Sequence, residues 1–348
     1  MSAPSLEAFL ASHGRAGYRS DVLSILAALA SAALKVNNSI RSGKLGATPS
    51  GSREIRNADG DIQKDLDIHA DETFLDSLHN VPVLYVLSEE RSAPVMLDPN
   101  GRIALAIDPL DGSSNIEANV SIGTIFSLLP ASAAAATAPS EGLFLQPGSA
   151  QLAAGFFVYG PQLLLVLTLG KGTHIFLFSP RLGTFVQTHE SIRLAERTNE
   201  FAINTSNYRH WDEAVRLYVD DCLKGEDGPR GRNFNMRWIA SLVAEAYRVL
   251  IRGGVFLYPG DARAGYGNGR LRLVYEANPI AMLIEQAGGC ATDTVNRILD
   301  ITPSALHQRV PLVFGSAREV ERVGRYHTEP SAIAERSPLF GNRGLFRA

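Results

Sequence analysis

The chain has 348 residues, a formal net charge of −3 and 45% hydrophobic residues. This length predicts two domains or one large one with a sizeable core, and nothing in the near-neutral charge suggests a nucleic-acid or membrane surface as the main partner. The two cysteines, Cys222 and Cys290, lack metal-ligand spacing and fit a reducing cytosol.

In chain order, residues 1–19 open loosely, without the basic and apolar stretches of a secretory leader. Asp21 caps a helix running to about Arg41. Its apolar part, 24–36, is too short and Ala-rich to span a bilayer and reads as an amphipathic or buried helix. Residues 43–60, rich in Gly, Ser and Asn, predict a long loop of the kind that serves as a lid. From Asp61 onward, Ile62, Leu66, Ala70, Phe74 and Leu78 recur every four residues and predict a helix through Leu78. The apolar runs 81–87 and 103–107 predict strands buried on both faces. Acids follow both runs. Ligands of open α/β sheets sit beyond the carboxyl ends of strands, so both strands deliver carboxylates to one edge. Residues 131–149, rich in Ala, Pro, Ser and Gly, predict a surface excursion. Strands at 153–158, 163–169, 173–178 and 184–187 predict antiparallel meanders that close a first domain near Arg193. The second half predicts a short strand at 201–204, helices at 211–223 and 238–250, and strands at 254–258 and 270–275. Asn278 as N-cap and Pro279 at N1 then open a helix to Gln286 that Gly288-Gly289 ends. A strand at 310–314 closes the sequence, and 319–348 reads as a tail.

The most informative stretch is Asp108-Pro109-Leu110-Asp111-Gly112-Ser113-Ser114-Asn115. Two carboxylates on a Pro-initiated turn suit a hard cation such as Mg2+. The Gly-Ser-Ser run offers N–H groups and hydroxyls to a phosphate. With Asp61, Asp67, Glu89, Glu90 and Glu276, the acids are numerous enough to hold two cations that clamp a phosphoryl group. Taken alone, Glu89-Glu90 reads as a solvated strand end over a ligand pair by roughly two to one. Its position directly after a buried-type strand, shared with Asp108, Asp111 and Glu276, shifts that balance. Asp61 and Asp67 also read as first-turn acids complementing a helix dipole. Downstream, Arg237-Trp238, Tyr258, Arg270, Arg272 and Tyr275 offer guanidinium forks and phenols to a sugar phosphate. Arg270 and Arg272 alone read equally well as exposed, alternating strand residues. The histidines show no paired spacing and carry no metal role.

The motif at 108–115, continuing through Val120-Ser121-Ile122-Gly123-Thr124-Ile125-Phe126, resembles class I fructose-1,6-bisphosphatase. Ser88-Glu89-Glu90, Gly254-Val255-Phe256-Leu257-Tyr258-Pro259 and Leu271-Arg272-Leu273-Val274-Tyr275-Glu276-Ala277-Asn278-Pro279 match in order and spacing, and the likeness runs from about Asp21 to Ser316. The wider inositol-monophosphatase-like superfamily shares only the first part. The resemblance implies an α/β, layered α-β-α-β-α sugar-phosphatase fold with two stacked domains: 1–193 for metal and 1-phosphate, 194–348 for sugar and 6-phosphate. It implies Mg2+-dependent hydrolysis of the 1-phosphate of fructose 1,6-bisphosphate, in gluconeogenesis or the Calvin cycle, by a cytoplasmic homotetramer. Each subunit would hold two or more Mg2+ ions, with Mn2+ able to substitute.

By position, the resemblance makes Glu89, Glu90, Asp108, Asp111, Glu276 and the Leu110 carbonyl metal ligands. Asp61 would be the loop acid that closes over the metals, and Asp67 with Glu90 the pair that deprotonates the attacking water. Gly112, Ser113 and Ser114 would hold the 1-phosphate. Asn204, Tyr258, Arg270 and a neighbouring subunit's copy of Arg237 would hold the 6-phosphate. The chain departs from the family at Arg270, where Lys is usual, and at Trp238 and Asn207, which each replace a Tyr; Tyr208 lies beside Asn207 as a substitute. The animal-type adenosine monophosphate site is replaced by Arg19-Ser20-Asp21-Val22-Leu23 and Arg102-Ile103, and the cysteine-bearing insertion of chloroplast enzymes is missing. Neither that inhibition nor thiol control is expected. Two alternatives stand beside this reading: wider specificity that includes sedoheptulose 1,7-bisphosphate, and a catalytically silent regulator that binds metal and sugar phosphate.

Overall fold

Apolar alternation along the strands decides the layering. The computed structural model describes residues 3–15, 20–46, 55–56, 62–63, 65–131 and 140–329. Short strands β1 (Ile55–Arg56) and β2 (Ile62–Gln63) pair antiparallel. The larger sheet is built from β3 (Val83–Ser88), β4 (Val95–Met96), β5 (Ile103–Asp111), β6 (Ile122–Pro130), β7 (Ala153–Tyr159), β8 (Leu163–Thr168), β9 (Thr173–Ser179) and β10 (Thr184–His189). Its spatial order is β10-β9-β8-β7-β6-β5-β3-β4. All of its pairs are antiparallel except β3 with β5, where Ser88 stands beside Ile107 in parallel register. That one parallel pair sends the chain ends after β3 and β5 to the same edge, as expected.

The smaller sheet contains β11 (Glu200–Ala202), β12 (Asn235–Met236), β13 (Val255–Tyr258), β15 (Cys290–Thr292) and β17 (Leu312–Gly315), in the order β12-β11-β13-β17-β15. Strands β14 (Leu271–Arg272) and β16 (Arg309–Val310) form a separate antiparallel pair. Pro311 separates β16 from β17, since a residue with no N–H cannot continue a ladder.

Helices α1 (Leu6–Arg15), α2 (Ser20–Gly46) and α3 (Asp65–Leu78) cover one face of the large sheet, where Ile25, Leu29 and Phe74 meet Phe126 and Phe157. Helices α5 (Leu242–Arg252) and α6 (Asn278–Gln286) fill the space between the sheets, with Val243, Ala246 and Ile280 against Phe156 on one side and Phe314 on the other. Helices α4 (Glu213–Leu223) and α7 (Ala317–Thr328) close the outer face. Strand β13 shows the rule directly: Val255 and Leu257 face α4 and α7, and Phe256 faces α5 and α6. The result is the expected α-β-α-β-α stack, an α/β fold.

Several local expectations are corrected. By length and composition, Ser20–Ser42 of α2 could cross a membrane; within the fold its Val22, Ile25, Leu29, Ala33 and Val36 are buried in the core, as a core helix requires. Asp21 lies inside the first turn of α2 and pairs with Arg102 at 2.9 Å. Residues 43–46 continue α2, α3 begins at Asp65, and most of the proposed lid lies outside the described residues. Within 140–149, Leu143 and Phe144 are buried, so this part of the expected surface excursion contributes to the core. Asp212 and Ser241 cap α4 and α5, which moves both helix starts past Trp211 and Trp238. Asn278 is no cap, because α6 grows directly out of a π-turn over Leu273–Ala277 that also cuts short the strand expected at 270–275. Residues 317–328 are helix where a tail was expected, with Val320, Val323 and Tyr326 buried on one face.

Candidate active site

A strand of regular pleat would point Asp108 and Asp111 to opposite faces, because three is an odd separation. The structure solves this with a bulge. Asp108 stands opposite Ile125 and Asp111 opposite Gly123, so β5 uses one residue more than β6 over this stretch. Pro109 fits there because a bulge does not need its N–H. The expected Pro-initiated turn is therefore a bulged strand end, and both acids reach one side. The bulge is held at two points. The Leu110 N–H donates to Asp108 Oδ1 at 3.0 Å, and the Thr124 hydroxyl donates to the Pro109 carbonyl at 2.7 Å. Tyr159 donates in turn to Thr124 at 2.7 Å.

Glu276 arrives from the π-turn before α6, a backbone form that favours functional positions. Ligand oxygens of Asp108, Asp111 and Glu276 lie within 4.8 Å of one another, and all three residues are buried. Burial first, and then neighbouring charge, pushes these carboxyls upward: Glu276 to about 8, helped by Asp111, and Asp108 well above the carboxylate range, helped by Glu89, Asp111, Glu276 and Glu90. Asp111 is pushed by burial only to about 6, because the Val243 N–H and Ser241 hold its charged form. Val243 donates to Asp111 Oδ2 at 3.0 Å, so this acid sits on the N-terminus of α5, where the helix dipole favours an anion.

Glu89 and Glu90 follow β3, and the Glu89 N–H binds the Ile107 carbonyl at 3.0 Å, fixing the two strand ends together. Burial, then Glu276, Glu90 and Asp111, raises the Glu89 carboxyl well above its usual range. Such a crowd of acids is stable only with counter-charge. Among the described residues Arg272 supplies part of it, at 3.2 Å from Glu89, and Arg309 acts in the same direction. Arg272 is thus committed to the acids rather than to a sugar phosphate, and Tyr275 is buried. The donor set, all oxygen and converging from three elements, fits hard divalent cations.

Asp67 is buried on the first turn of α3. One turn further on, Asp71 grips Arg91 at 2.6 Å, and Arg91 directly follows Glu90. Residues four apart share a helix face, so this pair holds the Asp67 face of α3 against the turn that carries Glu90. Asp61 lies outside the described residues. Gly112 turns the chain with a left-handed φ of 77° into a single helical turn over Ser113–Asn115, beside Asp111. The Asn115 amide then reaches Ala240 O at 2.7 Å, and Ala240 itself holds a φ of 62°. This contact ties the Gly-Ser-Ser turn to the segment carrying Arg237 and Trp238.

The distal set comes together in part. Asn204, Asn207, Tyr258 and Tyr266 line one cavity with Trp211 and Asp261. Arg270 lies over the Tyr266 ring at 5.1 Å. Asn204 also accepts from Ser206 N at 3.2 Å. Trp238 stacks on Phe256 at 5.9 Å and reaches Tyr258 at 6.1 Å. Tyr208 donates to Asp220, away from Asn207's place in the cavity lining. Arg237 is exposed and does not line this cavity. Sequence reading missed Tyr266, whose signal was its position in a Gly-Tyr-Gly turn four residues before Arg270. It also missed Ser241, Thr124 and Tyr159, which have no signature apart from the fold.

Thr124→Val keeps shape and removes the hydroxyl that holds the Pro109 carbonyl. We expect a stability loss of roughly 1–3 kcal/mol from unpaired buried groups and cation affinity weakened about 10–100-fold. Thermal melts and the cation concentration for half-maximal turnover read these effects. Unchanged cation dependence would show that the bulge holds its shape without Thr124.

Comparisons with known proteins show the family. The family described as fructose-1-6-bisphosphatase, N-terminal domain, matches residues 8–190, and the corresponding C-terminal domain matches residues 194–328. A class 1 fructose-1,6-bisphosphatase of Sinorhizobium medicae is 62% identical, over 100% of both chains. One from Nitrobacter hamburgensis is 55% identical over 92% of both. The Leishmania major fructose-1,6-bisphosphatase in holo form superposes with a TM-score of 0.86 at 30% identity, covering 94% of this chain and 100% of that one.

Proposed function

The chain belongs to the class 1 fructose-1,6-bisphosphatase family, and from that premise we propose that it hydrolyses the 1-phosphate of D-fructose 1,6-bisphosphate to fructose 6-phosphate and phosphate. The observation that carries the reading is the convergence of buried Asp108, Asp111 and Glu276 beside the Gly112 turn. Residues 1–193 are assigned to metal and 1-phosphate, and 194–348 to sugar and 6-phosphate.

Glu89, Glu90, Asp108, Asp111, Glu276 and the Leu110 carbonyl are the oxygen donors assigned to two or more Mg2+ ions, with Mn2+ able to substitute. When bound, such ions polarise phosphoryl oxygens and lower the pKa of water. The chain's own residues do the rest. Gly112, Ser113 and Ser114 seat the 1-phosphate and keep its phosphorus facing the acids. Asp67 and Glu90 orient the attacking water and take its proton as general base. Asp61 is assigned to closing the site. Asn204, Tyr258 and Arg270, with Arg237 from a neighbouring copy, hold the 6-phosphate and so decide which end reacts. Arg270 brings a bidentate fork in place of a point charge.

We place the enzyme in the cytoplasm as a homotetramer serving gluconeogenesis or the Calvin cycle. Arg237's exposure outside its own distal cavity is consistent with sites shared between copies. Mixing Arg237→Ala chains with Asp111→Asn chains should recover part of the lost activity; no recovery would mean self-contained sites.

Asn207 in the distal lining favours a second reading, in which a longer sugar bisphosphate also fits. A phosphate-release panel with Mg2+ or Mn2+ tests both. Fructose 1,6-bisphosphate should far exceed sugar monophosphates, and turnover of sedoheptulose 1,7-bisphosphate would establish the wider specificity. Bisphosphate binding without phosphate release would instead select a silent binder.

A further inference from the structure

A second charged site lies outside the acidic cluster. Arg197, Arg230, Arg232, Arg318 and Arg322 surround a cavity of about 350 Å³ with Glu319 as the one carboxylate in its lining. It sits between α7, the turn after α4 and the segment leading into β11. Guanidinium groups do not deprotonate in proteins, so this lining holds five fixed positive charges against one negative. The chain as a whole is slightly acidic, so the concentration is local.

The internal pairs leave much of that charge unanswered. Glu319 is spent on Arg230, at 2.7 Å and 2.8 Å, and on Arg232 at 2.7 Å. Arg318 meets Glu196 at 3.2 Å. Among the described residues, Arg197 and Arg322 have no carboxylate partner. Arg322 Nε is moreover shut off from solvent with no hydrogen-bond acceptor. A buried guanidinium N–H left unmatched is costly unless something else supplies the acceptor. The guanidinium carbons of Arg230 and Arg232 lie over the Phe234 ring, 4.4 Å and 5.0 Å from its centroid, so a cation–π contact helps hold both groups in place.

We infer that this cavity binds a compact polyanion carrying two or more phosphate or carboxylate groups. Guanidinium forks match both oxyanions bidentately. The volume suits a small molecule rather than a polymer, and Pro229 is the only apolar residue in the lining. The loop carrying Arg230 and Arg232 runs on through β12 to Arg237, so an occupant bears on the element assigned to the distal phosphate. The inference does not depend on the chemistry assigned to the acidic cluster.

The test is calorimetric titration of the full-length, metal-free protein with pyrophosphate and, separately, with citrate, at matched ionic strength. Saturable binding of one or both is expected, and the preferred probe separates phosphate from carboxylate recognition. The double variant Arg197→Ala/Arg322→Ala should bind at least about tenfold more weakly, with basal bisphosphate turnover unchanged. Arg322→Lys, which keeps the charge and loses the fork, should fall between the two. Absence of saturable binding to the wild type would overturn the inference. So would equal affinity in the double variant, since the anion would then reside outside this cavity.

Discussion

Asp111→Asn removes phosphate release by at least about a thousandfold, roughly 4 kcal/mol of transition-state stabilisation, and leaves the fold standing. Asp111 is the point where three parts of the site meet. It ends the bulge of β5, lies within 4.8 Å of Asp108 and Glu276, and rests on the N-terminus of α5 through Val243. Asparagine retains an acceptor for Val243, so the helix start keeps its partner. It also deletes one charge from a cluster of like charges, where burial first and then neighbouring carboxylates push the Glu89 and Asp108 carboxyls upward. The metal-free variant should therefore melt at or above the wild-type temperature, and added Mg2+ should stabilise it less than the wild type. Activity within tenfold of the wild type would remove Asp111 from the ligand set. A melting temperature far below the wild type would mean that its role is structural.

The largest effect on stability is expected at Glu319, far from the acids. Both members of the Arg230–Glu319 pair are 2% exposed, and Tyr218 adds a hydrogen bond to the same carboxylate at 3.3 Å. Glu319→Ala leaves the Arg230 charge buried and unanswered, a loss of about 3–5 kcal/mol. Urea unfolding in the absence of added polyanions measures it. Arg318→Ala, whose pair with Glu196 is mostly exposed, should cost at most about 1 kcal/mol. A loss below about 1 kcal/mol for Glu319→Ala would show that solvent reaches Arg230 once the carboxylate is gone.

What could be read from the residues was what depends on local pattern. The continuous apolar runs of β3 and β5, the Gly- and Pro-punctuated meander from β7 to β10, and the acids after buried strands all follow from short-range chemistry, and each stands where expected. The sequence motif located the turn at Gly112 for the same reason. What escaped depends on pairing at a distance. The bulge at Pro109 exists because β6 offers one residue fewer than β5, which no window around Asp108 shows. Arg272 reads as an exposed strand residue until the π-turn swings Glu276 beside its own N–H. Helix α7 was hidden by its charge. Its three buried apolar residues recur at helical spacing, but Arg and Glu between them resemble a solvated tail. Three of those charged residues, Arg318, Glu319 and Arg322, turn out to line the arginine-rich cavity. Likewise Asn278-Pro279 carries a strong capping signal that the preceding π-turn overrides, since the backbone is already helical at Ala277.

With the acids and the Gly112 turn assigned to the 1-phosphate and the distal cavity to the 6-phosphate, the decisive question is which phosphate leaves. Phosphorus-31 NMR of the wild-type enzyme with fructose 1,6-bisphosphate and Mg2+ reads this directly. Equal growth of inorganic phosphate and fructose 6-phosphate is expected, with no fructose 1-phosphate. Accumulation of fructose 1-phosphate, or a bisphosphate spectrum that does not change, would contradict it.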